Sequence, residues 1–237
     1  MYGRTESVKF GQGDAYEFMQ VLIDRGIKVP LVVTDPPYIV AKGSGGGTQG
    51  HKIALIQDEL QEEGLSDSFD IPRFANLLLK VQDRVNAYIF CSRLQLPELF
   101  TEFVIKRKCK FDLLKWIKTN PVPAYSNKYL SDTEYILYVR KGGYCKPDNY
   151  DDARTVFTSP LNAKDKKEFN HPTPKPVELL RRLIRNSSKE GDIILDPFMG
   201  SGSTAVAAVK EKRGFYGCDH NLRHIATVKY RLSIVNI

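Results

Sequence analysis

The sequence predicts an α/β fold with a mostly parallel central sheet and helices on both faces. Two observations predict it. Short apolar segments that suit buried strands alternate with amphipathic segments that suit helices along most of the 237 residues. Near the carboxyl end, a strand, a glycine turn, a helix and a second strand follow each other over 191–219, which is a βαβ unit. The length suits one domain with a sizeable core, so we predict a single domain over 1–237.

Apolar spacing predicts the elements of the first two thirds of the chain. Residues 15–25 place apolar side chains three and four positions apart, which is the spacing of a helix face. Residues 31–34 form a short β-branched run and predict a buried strand. By the same criteria we predict further helices over 74–83 and 96–105, and further strands over 87–91, 111–117 and 133–139.

The clearest predicted helix covers 176–186. Pro176 suits a first helical turn, because its ring fixes a helical φ angle and the first N–H groups of a helix have no internal partner. Leucine and isoleucine side chains share one face of this segment. We predict that the arginines on the other side form a solvated face: Arg181, Arg182 and Arg185.

Composition limits the classes of function. The chain has 35 basic and 28 acidic residues, and its net charge of +7 favours a polyanionic partner. The four cysteines are scattered without a Cys-x-x-Cys pair, which argues against a zinc site or a disulfide framework and fits a reducing compartment. The first ten residues lack a signal-peptide pattern, and no apolar run is long enough to cross a membrane. We therefore expect a cytoplasmic protein.

The tetrapeptide Asp35-Pro36-Pro37-Tyr38 follows the predicted strand over 31–34. Neither proline can donate a hydrogen bond to a sheet, so the strand ends there. The prolines make the backbone rigid and leave carbonyl groups free as acceptors, Asp35 adds a carboxylate, and Tyr38 offers a flat aromatic face. Alone, the tetrapeptide is equally compatible with an ordinary extended exit from a strand.

The second motif is the glycine turn of the βαβ unit. The strand before it ends at Asp196, the helix after it covers 203–210, and the next strand ends at Asp219. The spacing of the two acids is close to the interval of about 20 residues at which an acid meets a ribose hydroxyl in such units.

The glycine turn also satisfies Gly-x-Gly-x-x-Ala, the pattern of dinucleotide-binding proteins. A dinucleotide places its anionic pyrophosphate at the helix N-terminus, where Asp196 would repel it. A ligand that carries an ammonium and a sulfonium, such as S-adenosylmethionine, instead gains from that carboxylate. The unit therefore favours a cationic ligand, although a tight turn without any ligand can have the same pattern.

Together, the two motifs resemble those of the amino-methylating DNA methyltransferases of restriction-modification and phage systems. Their order is that of the permuted β class, in which the catalytic half precedes the cofactor half. The resemblance implies a Rossmann-like fold with S-adenosyl-L-methionine as cofactor, and it covers nearly the whole chain. Four further segments resemble the family: Gln12–Ala15, Trp116–Pro121, Asp132–Leu137 and His171–Pro176.

The resemblance gives the tetrapeptide a catalytic role. The exocyclic amino group of adenine or cytosine is a poor nucleophile, because its lone pair delocalises into the ring. Two acceptors, Asp35 and the Pro36 carbonyl, would draw the nitrogen towards a tetrahedral shape for in-line methyl transfer. The base must first leave the duplex, and Tyr38 can stack on it. The predicted catalytic residues are Asp35, Pro36, Pro37 and Tyr38; aspartate at the head favours adenine N6 over cytosine N4 in this family.

The resemblance also implies the residues that bind the cofactor. Asp14 would contact the cofactor adenine, and Asp219 would take the ribose hydroxyls, although the family usually has glutamate there. Thr173 and Lys175 would lie beside the cofactor, and Pro174 stands where the family often has glutamine. The predicted set is Asp14, Ala15, Asp35, Thr173, Lys175, Asp196, Pro197, Phe198, Gly200, Ser201, Gly202 and Asp219.

Double-stranded DNA is the partner that the resemblance implies, and a homodimer and a cognate restriction endonuclease are the further partners that it implies. Segment 39–70 is rich in glycine and acids and predicts a mobile loop. Segment 141–170 is polar without clear periodicity and takes the place of the family's target-recognition region. The candidate DNA contacts are the basic run Lys106, Arg107 and Lys108, which a solvated helix end explains equally well, and Trp116, Lys118 and Asn120.

Several alternatives remain open at this point. The resemblance also allows an N4-cytosine methyltransferase. RNA and protein-glutamine methyltransferases use a similar tetrapeptide, but their cofactor turn precedes it. A nicotinamide dehydrogenase would leave the tetrapeptide without a role, and an inactive DNA-binding relative would not need Asp35 and Tyr38 intact.

Overall fold

The computed structural model describes residues 7–38, 69–121, 129–161 and 174–235. The strands are β1 Val8–Gln12, β2 Leu31–Thr34, β3 Val85–Cys91, β4 Lys110–Lys118, β5 Thr133–Lys141, β6 Val156–Ser159, β7 Ile193–Asp196 and β8 Gly214–Asp219. The helices are α1 Ala15–Asp24, α2 Ile71–Val81, α3 Leu96–Phe100, α4 Val177–Ser187, α5 Ser203–Lys210 and α6 Leu222–Ser233, with a π-helical segment, Thr101–Lys106, directly after α3.

All eight of these strands belong to one sheet, in the order β1-β8-β7-β2-β3-β5-β4-β6. Neighbouring strands run parallel except where β5 pairs with β3 and with β4, so β5 alone runs in the opposite direction. The last residues of the other strands therefore share one edge with the first residues of β5. We call this the carboxyl edge, and it carries Gln12, Thr34, Cys91, Lys118, Thr133, Ser159, Asp196 and Asp219.

Each face of the sheet buries its own apolar core. Helices α1, α2 and α3 cover one face, where Val32 of β2 packs among residues such as Phe74 and Leu78. Helices α4, α5 and α6 cover the other face, where Leu31 and Val33 of the same strand pack. Alternate side chains of a strand point to opposite faces, and this is why a strand buried on both sides is a continuous apolar run. The predicted α/β class with a mostly parallel sheet is confirmed.

Several predicted elements match the observed bounds. Helix α5 and strand β8 begin and end where the sequence predicts, and β2 does as well. Helix α2 begins earlier than predicted, because Asp70 caps it: the carboxylate accepts a hydrogen bond of 2.9 Å from the Arg73 N–H. The predicted loop over 39–70 lies outside the described residues except for Phe69 and Asp70.

Strands β1 and β6 and helix α6 were not predicted. Strand β6 has four residues and lies at the end of the sheet, inside the segment 141–170 that was expected to be loop-rich. The buried side chains of α6 are Ile225, Val228 and Arg231, so an arginine stands where the apolar pattern of a helix face would continue. The predicted helix over 96–105 is also wrong in part, because it changes from α to π at Thr101.

The prediction of a solvated arginine face on α4 is wrong. Arg182 is only 8% exposed, and its guanidinium lies 5.2 Å from the centroid of the Phe157 ring of β6. Arg181 Nε and Arg185 donate to the same Glu211 carboxylate oxygen, at 2.7 and 3.0 Å. These arginines hold α4 against β6 and the end of α5.

Among the described residues, no helix is long and apolar enough to cross a membrane.

Candidate active site

The carboxyl edge brings the two sequence motifs together. Strand β7, which ends at Asp196, lies between β2 and β8 in the sheet, and the tetrapeptide begins directly after β2. Thr34, the last residue of β2, donates a buried hydrogen bond of 2.8 Å from Oγ1 to Asp196 Oδ1. The tetrapeptide and the glycine turn are thus parts of one site, although they are far apart in the chain.

The tetrapeptide is fixed by a residue that the sequence analysis did not find. Gln95 is fully buried, and its Nε2 donates a hydrogen bond of 2.7 Å to the Pro37 carbonyl. Its Oε1 accepts hydrogen bonds from the Ser92 N–H and hydroxyl. Within the described residues, no hydrogen bond reaches the Pro36 carbonyl. Among the residues that the structure describes, the Pro36 carbonyl is therefore a free acceptor, while Pro37 is held in place.

Asp35 belongs to a cluster of four charged side chains. Lys175 Nζ lies 2.5 Å from Asp35 Oδ2 and 3.3 Å from Glu134 Oε2. Lys118 Nζ lies 2.8 Å from the other oxygen of Glu134. The Tyr38 hydroxyl donates to Glu134 Oε2 at 3.2 Å. Glu134 reaches this site because β5 is antiparallel and therefore begins at the carboxyl edge.

Burial and charge set the pKa values in this cluster. Burial raises the pKa of Asp35 above its ordinary value, and the Lys175 ammonium opposes that rise. Burial would also raise the pKa of Glu134, but Lys175 and Lys118 hold it below its ordinary value. Burial would lower the pKa of Lys175, yet the carboxylates of Asp35 and Glu134 keep it raised. The cluster therefore favours the ionised forms of Glu134 and Lys175, and Lys175 limits the rise in the pKa of Asp35.

Asp35 keeps unused acceptor capacity. Its Oδ1 atom is buried and has no hydrogen-bond partner within the described part of the chain. A buried acceptor without a partner costs free energy, and in native proteins such groups are concentrated where a ligand supplies the missing donor.

The glycine turn is held from beneath by a buried arginine. Arg231 of α6 is 3% exposed, and its NH1 donates to the Ser201 carbonyl at 3.1 Å and to the hydroxyls of Ser201 and Ser203 at 3.2 Å. Asp196, just before the turn, is also buried, and burial raises its pKa to about 7 against the opposing hydrogen bonds from Thr204, Thr34 and the Phe198 N–H. Sequence analysis missed Arg231 because it missed α6.

The predicted ribose ligand Asp219 is engaged by its own chain. Its Oδ2 accepts a hydrogen bond of 3.0 Å from the Gly200 N–H, and its Oδ1 accepts from the Asn221 N–H at 2.8 Å and lies 3.0 Å from His224 Nδ1. Burial would raise the pKa of Asp219, but the hydrogen bond and charge of His224 hold it below its ordinary value. Asp219 therefore fixes the glycine turn and is an anion at neutral pH.

The predicted adenine contact, Asp14, lies beside the same turn. The Gly13 N–H donates 3.1 Å to the Asp219 carbonyl, which aligns the end of β1 with the end of β8. The Asp14 carboxylate caps α1, the helix that begins at Ala15, by accepting from the N–H groups of Tyr16 and Glu17, each at 2.9 Å. The Phe198 ring meets the Tyr16 ring edge-on at 6.2 Å between centroids. Pro197 is buried, and its carbonyl lies 3.2 Å from the Cys218 sulfur. Thr173 lies outside the described residues.

The family model described as DNA methylase matches residues 29–230. The chain belongs to the DNA methylase family. This assignment includes both halves of the site, from the strand before the tetrapeptide to helix α6.

Relatives and solved structures resemble this methylase over most of its length. The Type II methyltransferase M2.LlaDCHI of Lactococcus lactis subsp. cremoris is 28% identical over 98% of this chain and 91% of its own. The Type II methyltransferase M2.DpnII of Streptococcus pneumoniae is 29% identical over 94% of this chain and 88% of its own. The crystal structure of the M1.HpyAVI–SAM complex is 26% identical with a TM-score of 0.67, and the match covers 94% of this chain and 99% of that chain.

The residues of the glycine turn suit the cationic cofactor of a methylase. Asp14, Asp196 and Asp219 lie around the turn, and the fourth carboxylate, Asp35, follows the adjacent strand. Asp196 is buried and forms no ion pair with another described residue, and its raised pKa means that its ionisation is costly until a positive group approaches. An ammonium and a sulfonium supply such positive charge, so S-adenosylmethionine fits this set of side chains.

The basic run predicted to contact DNA lies at the other edge of the methylase sheet. Lys106, Arg107 and Lys108 precede β4, whose first residue pairs with Arg140 near the start of β3. Lys106 and Arg107 are both paired with the carboxylate of Glu102. The run is therefore remote from Asp35.

The other predicted DNA contacts lie at or just after the carboxyl edge, where each of them bonds to another residue of the chain. Trp116 is 2% exposed, and its Nε1 donates to the Ser159 hydroxyl at 2.9 Å. Asn120 Oδ1 accepts from the Leu161 N–H at 2.6 Å, which joins the segments after β4 and β6. Lys118 is paired with Glu134. The structure thus brings Lys118 to the charge cluster around Asp35, while Trp116 and Asn120 are bonded to residues at or after the end of β6.

Proposed function

We propose that this methylase transfers a methyl group from S-adenosylmethionine to N6 of adenine in double-stranded DNA, with the target base flipped out of the duplex. One observation carries the proposal: the Thr34–Asp196 hydrogen bond of 2.8 Å joins the acceptor groups of the tetrapeptide directly to the cofactor turn. A base held by Asp35 would then lie next to the reactive methyl.

The tetrapeptide would bind and activate the amino group. The Asp35 carboxylate and the Pro36 carbonyl, both with acceptor capacity to spare, would each accept one N–H of the amine. The nitrogen lone pair would then point out of the ring plane, and orientation would supply much of the rate. The Tyr38 ring would stack on the extruded base. The nitrogen loses one proton after methylation, and the Asp35 carboxylate is the nearest base.

The glycine turn and its acids would hold the cofactor. S-adenosylmethionine supplies an electrophilic methyl group on a sulfonium. The residues that would hold it are Asp14, Ala15, Thr173, Asp196, Pro197, Phe198, Gly200, Ser201, Gly202 and Asp219. The predicted set also includes Asp35 and Lys175, which lie next to each other, and Lys175 contacts Glu134 as well.

The test is a transfer assay with labelled cofactor and duplex DNA of mixed sequence, followed by digestion to nucleosides and mass spectrometry. We expect labelled N6-methyladenine. Appearance of N4-methylcytosine would establish the alternative substrate. Absence of any methylated base, together with no cofactor binding by calorimetry, would overturn the enzymatic proposal.

The matched variant is Asp35→Ala. We expect methyl transfer to fall below detection while the dissociation constant for the cofactor changes less than about threefold, because Asp35 is proposed to hold the amine. Circular dichroism of the variant checks its fold. A variant that is folded and retains transfer would remove Asp35 from the mechanism.

We further propose that a homodimer and a cognate restriction endonuclease complete the system, in the cytoplasm. The short segment 141–170 supports a contribution of a partner subunit to DNA recognition. The names of the relatives as Type II methyltransferases support the endonuclease. A DNA substrate and free thiols at the four cysteines support the location.

A further inference from the structure

Lys175 is buried at the centre of the charge cluster rather than beside the glycine turn. Its side chain is 5% exposed, and its Nζ has a carboxylate on each side, Asp35 and Glu134. The rings of Tyr38 and Phe90 lie 5.2 and 5.5 Å from the same atom. A lysine enclosed in this way by two carboxylates and two aromatic faces has little freedom to move.

Glu134 is the second carboxylate that contacts Lys175, and it fixes the position of that lysine. One Glu134 oxygen lies 3.3 Å from Lys175 Nζ and accepts the Tyr38 hydroxyl, and the other lies 2.8 Å from Lys118 Nζ. Both oxygens are therefore engaged. Because Glu134 also touches Tyr38, one carboxylate sets the positions of the lysine and of the proposed stacking ring.

We infer that Lys175 and Glu134 are positioning residues for methyl transfer: Lys175 keeps the partly buried Asp35 carboxylate ionised and correctly oriented, and Glu134 holds Lys175 in place. The inference rests on the proposed function, because it gives Asp35 the role of accepting the target amine. A protonated Asp35 would lose acceptor capacity, so its charge state controls the reaction.

The charges that face Asp35 act in opposite directions. Burial raises the pKa of Asp35, the Lys175 ammonium lowers it, and the Glu134 carboxylate raises it. The Tyr38 hydroxyl and the Cys91 thiol, both with raised pKa values, and the Asp196 carboxyl also face Asp35. Removal of the positive charge and removal of the negative charge should therefore shift the titration of Asp35 in opposite directions.

The experiment uses the full chain and measures single-turnover methyl transfer against pH for the wild type, Lys175→Met and Glu134→Gln. For Lys175→Met we expect the acid limb of the profile to move up by about one pH unit or more, with at least about a tenfold lower rate at neutral pH. For Glu134→Gln we expect the limb to move down, because a negative charge that raises the pKa of Asp35 is removed. Lys212→Met is the control, because Lys212 is an exposed lysine 3.3 Å from Glu190, and its limb should not move.

A second measurement is independent of catalysis. Carbon-13 spectra of the aspartate carboxyl groups, with Asp35 assigned by comparison with Asp35→Asn, should show the same opposite shifts and separate Asp35 from Asp196. If the wild type methylates no DNA, the proposed function fails while this titration still tests the charge coupling.

Three outcomes overturn the inference. One is a shift of the Asp35 titration in the same direction in both variants. Another is an unmoved limb in Lys175→Met together with a tenfold or greater loss of cofactor affinity, which would make Lys175 a cofactor contact. The third is an upward shift of the acid limb in the isosteric Glu134→Gln. If Lys175→Met does not fold, this outcome still tests the inference, and Lys175→Arg should keep the acid limb of the wild type.

Discussion

At the scale of the residue, Gly202 shows how tightly the glycine turn is built. Its φ angle of 77° belongs to the left-handed region that favours glycine. A Cβ atom at this position would lie 2.6 Å from Cγ2 of Val228 in α6, which is much closer than van der Waals contact allows. The turn therefore needs glycine here both for its backbone angle and for the close approach of α6.

We predict that Gly202→Ala lowers the free energy of unfolding by about 2–4 kcal/mol, as the sum of left-handed strain and overpacking. Urea denaturation measures it. Gly191→Ala is the control: its φ is 87°, but nothing lies within 4 Å of the added atom, so only about 1 kcal/mol of backbone strain is expected. The double variant with Val228→Ala should be less unstable than the two single losses added together. Equal losses of stability in Gly202→Ala and Gly191→Ala would show that Val228 moves aside at no cost in free energy.

Single residues of the site differ in how far the sequence alone could reveal them. The tetrapeptide is one contiguous segment and Asp196 with the glycine turn is another, so local sequence was enough to find each motif. Gln95, Glu134 and Arg231 act on those motifs from other strands and helices, at 58 positions from Pro37 in the case of Gln95. Local sequence carries no sign of such contacts, because only the sheet order brings their side chains together.

At the scale of the element, Glu211 joins α5 to α4. It is 8% exposed at the end of α5, and one of its oxygens accepts from both Arg181 and Arg185 of α4. Arg185 also lies 3.4 Å from Asp152 in the segment before β6. Because Arg185 and Arg181 are about one third exposed, solvent weakens these ion pairs but does not remove them.

We predict that Glu211→Gln costs about 1–2 kcal/mol of stability, since a nearly buried carboxylate that serves two guanidinium groups is replaced by a neutral amide. Thermal or chemical unfolding measures the loss. Glu190→Gln is the matched control, because Glu190 and its partner Lys212 are each about two thirds exposed. That pair should contribute less than about 0.5 kcal/mol. If Glu211→Gln left the stability unchanged, the ion pairs would contribute nothing and packing alone would join α4 to α5.

At the scale of the whole molecule, the direction of the strands places positively charged side chains at two opposite edges of the sheet. The run Lys106–Lys108 lies at the edge opposite to Asp35, although it is the densest basic stretch of the sequence. Arg93, in contrast, is exposed in the turn directly after β3 at the carboxyl edge. That turn is anchored to the tetrapeptide through Gln95. DNA that delivers a base to Asp35 would therefore pass close to Arg93.

We predict that Arg93→Gln weakens DNA binding about uniformly across sequences and reduces the slope of log affinity against log salt by about one, as expected for one lost phosphate contact. Fluorescence anisotropy over a salt series measures both. Lys108→Gln removes a comparable exposed charge from the opposite edge and should leave affinity and slope unchanged. The reverse pattern would place the duplex against the other edge of the sheet.

The sequence by itself determined the α/β class, most strand and helix positions, the two motifs and the family resemblance that their order carries. These properties depend on periodicity and on contiguous residues. Only the tertiary structure decided that Lys175 contacts Asp35 and Glu134, that Arg182 is buried, and that the basic run lies away from the site. The physical reason is that burial and ion pairing depend on which strands are neighbours, and the order β1-β8-β7-β2-β3-β5-β4-β6 places side chains together that are distant in the chain.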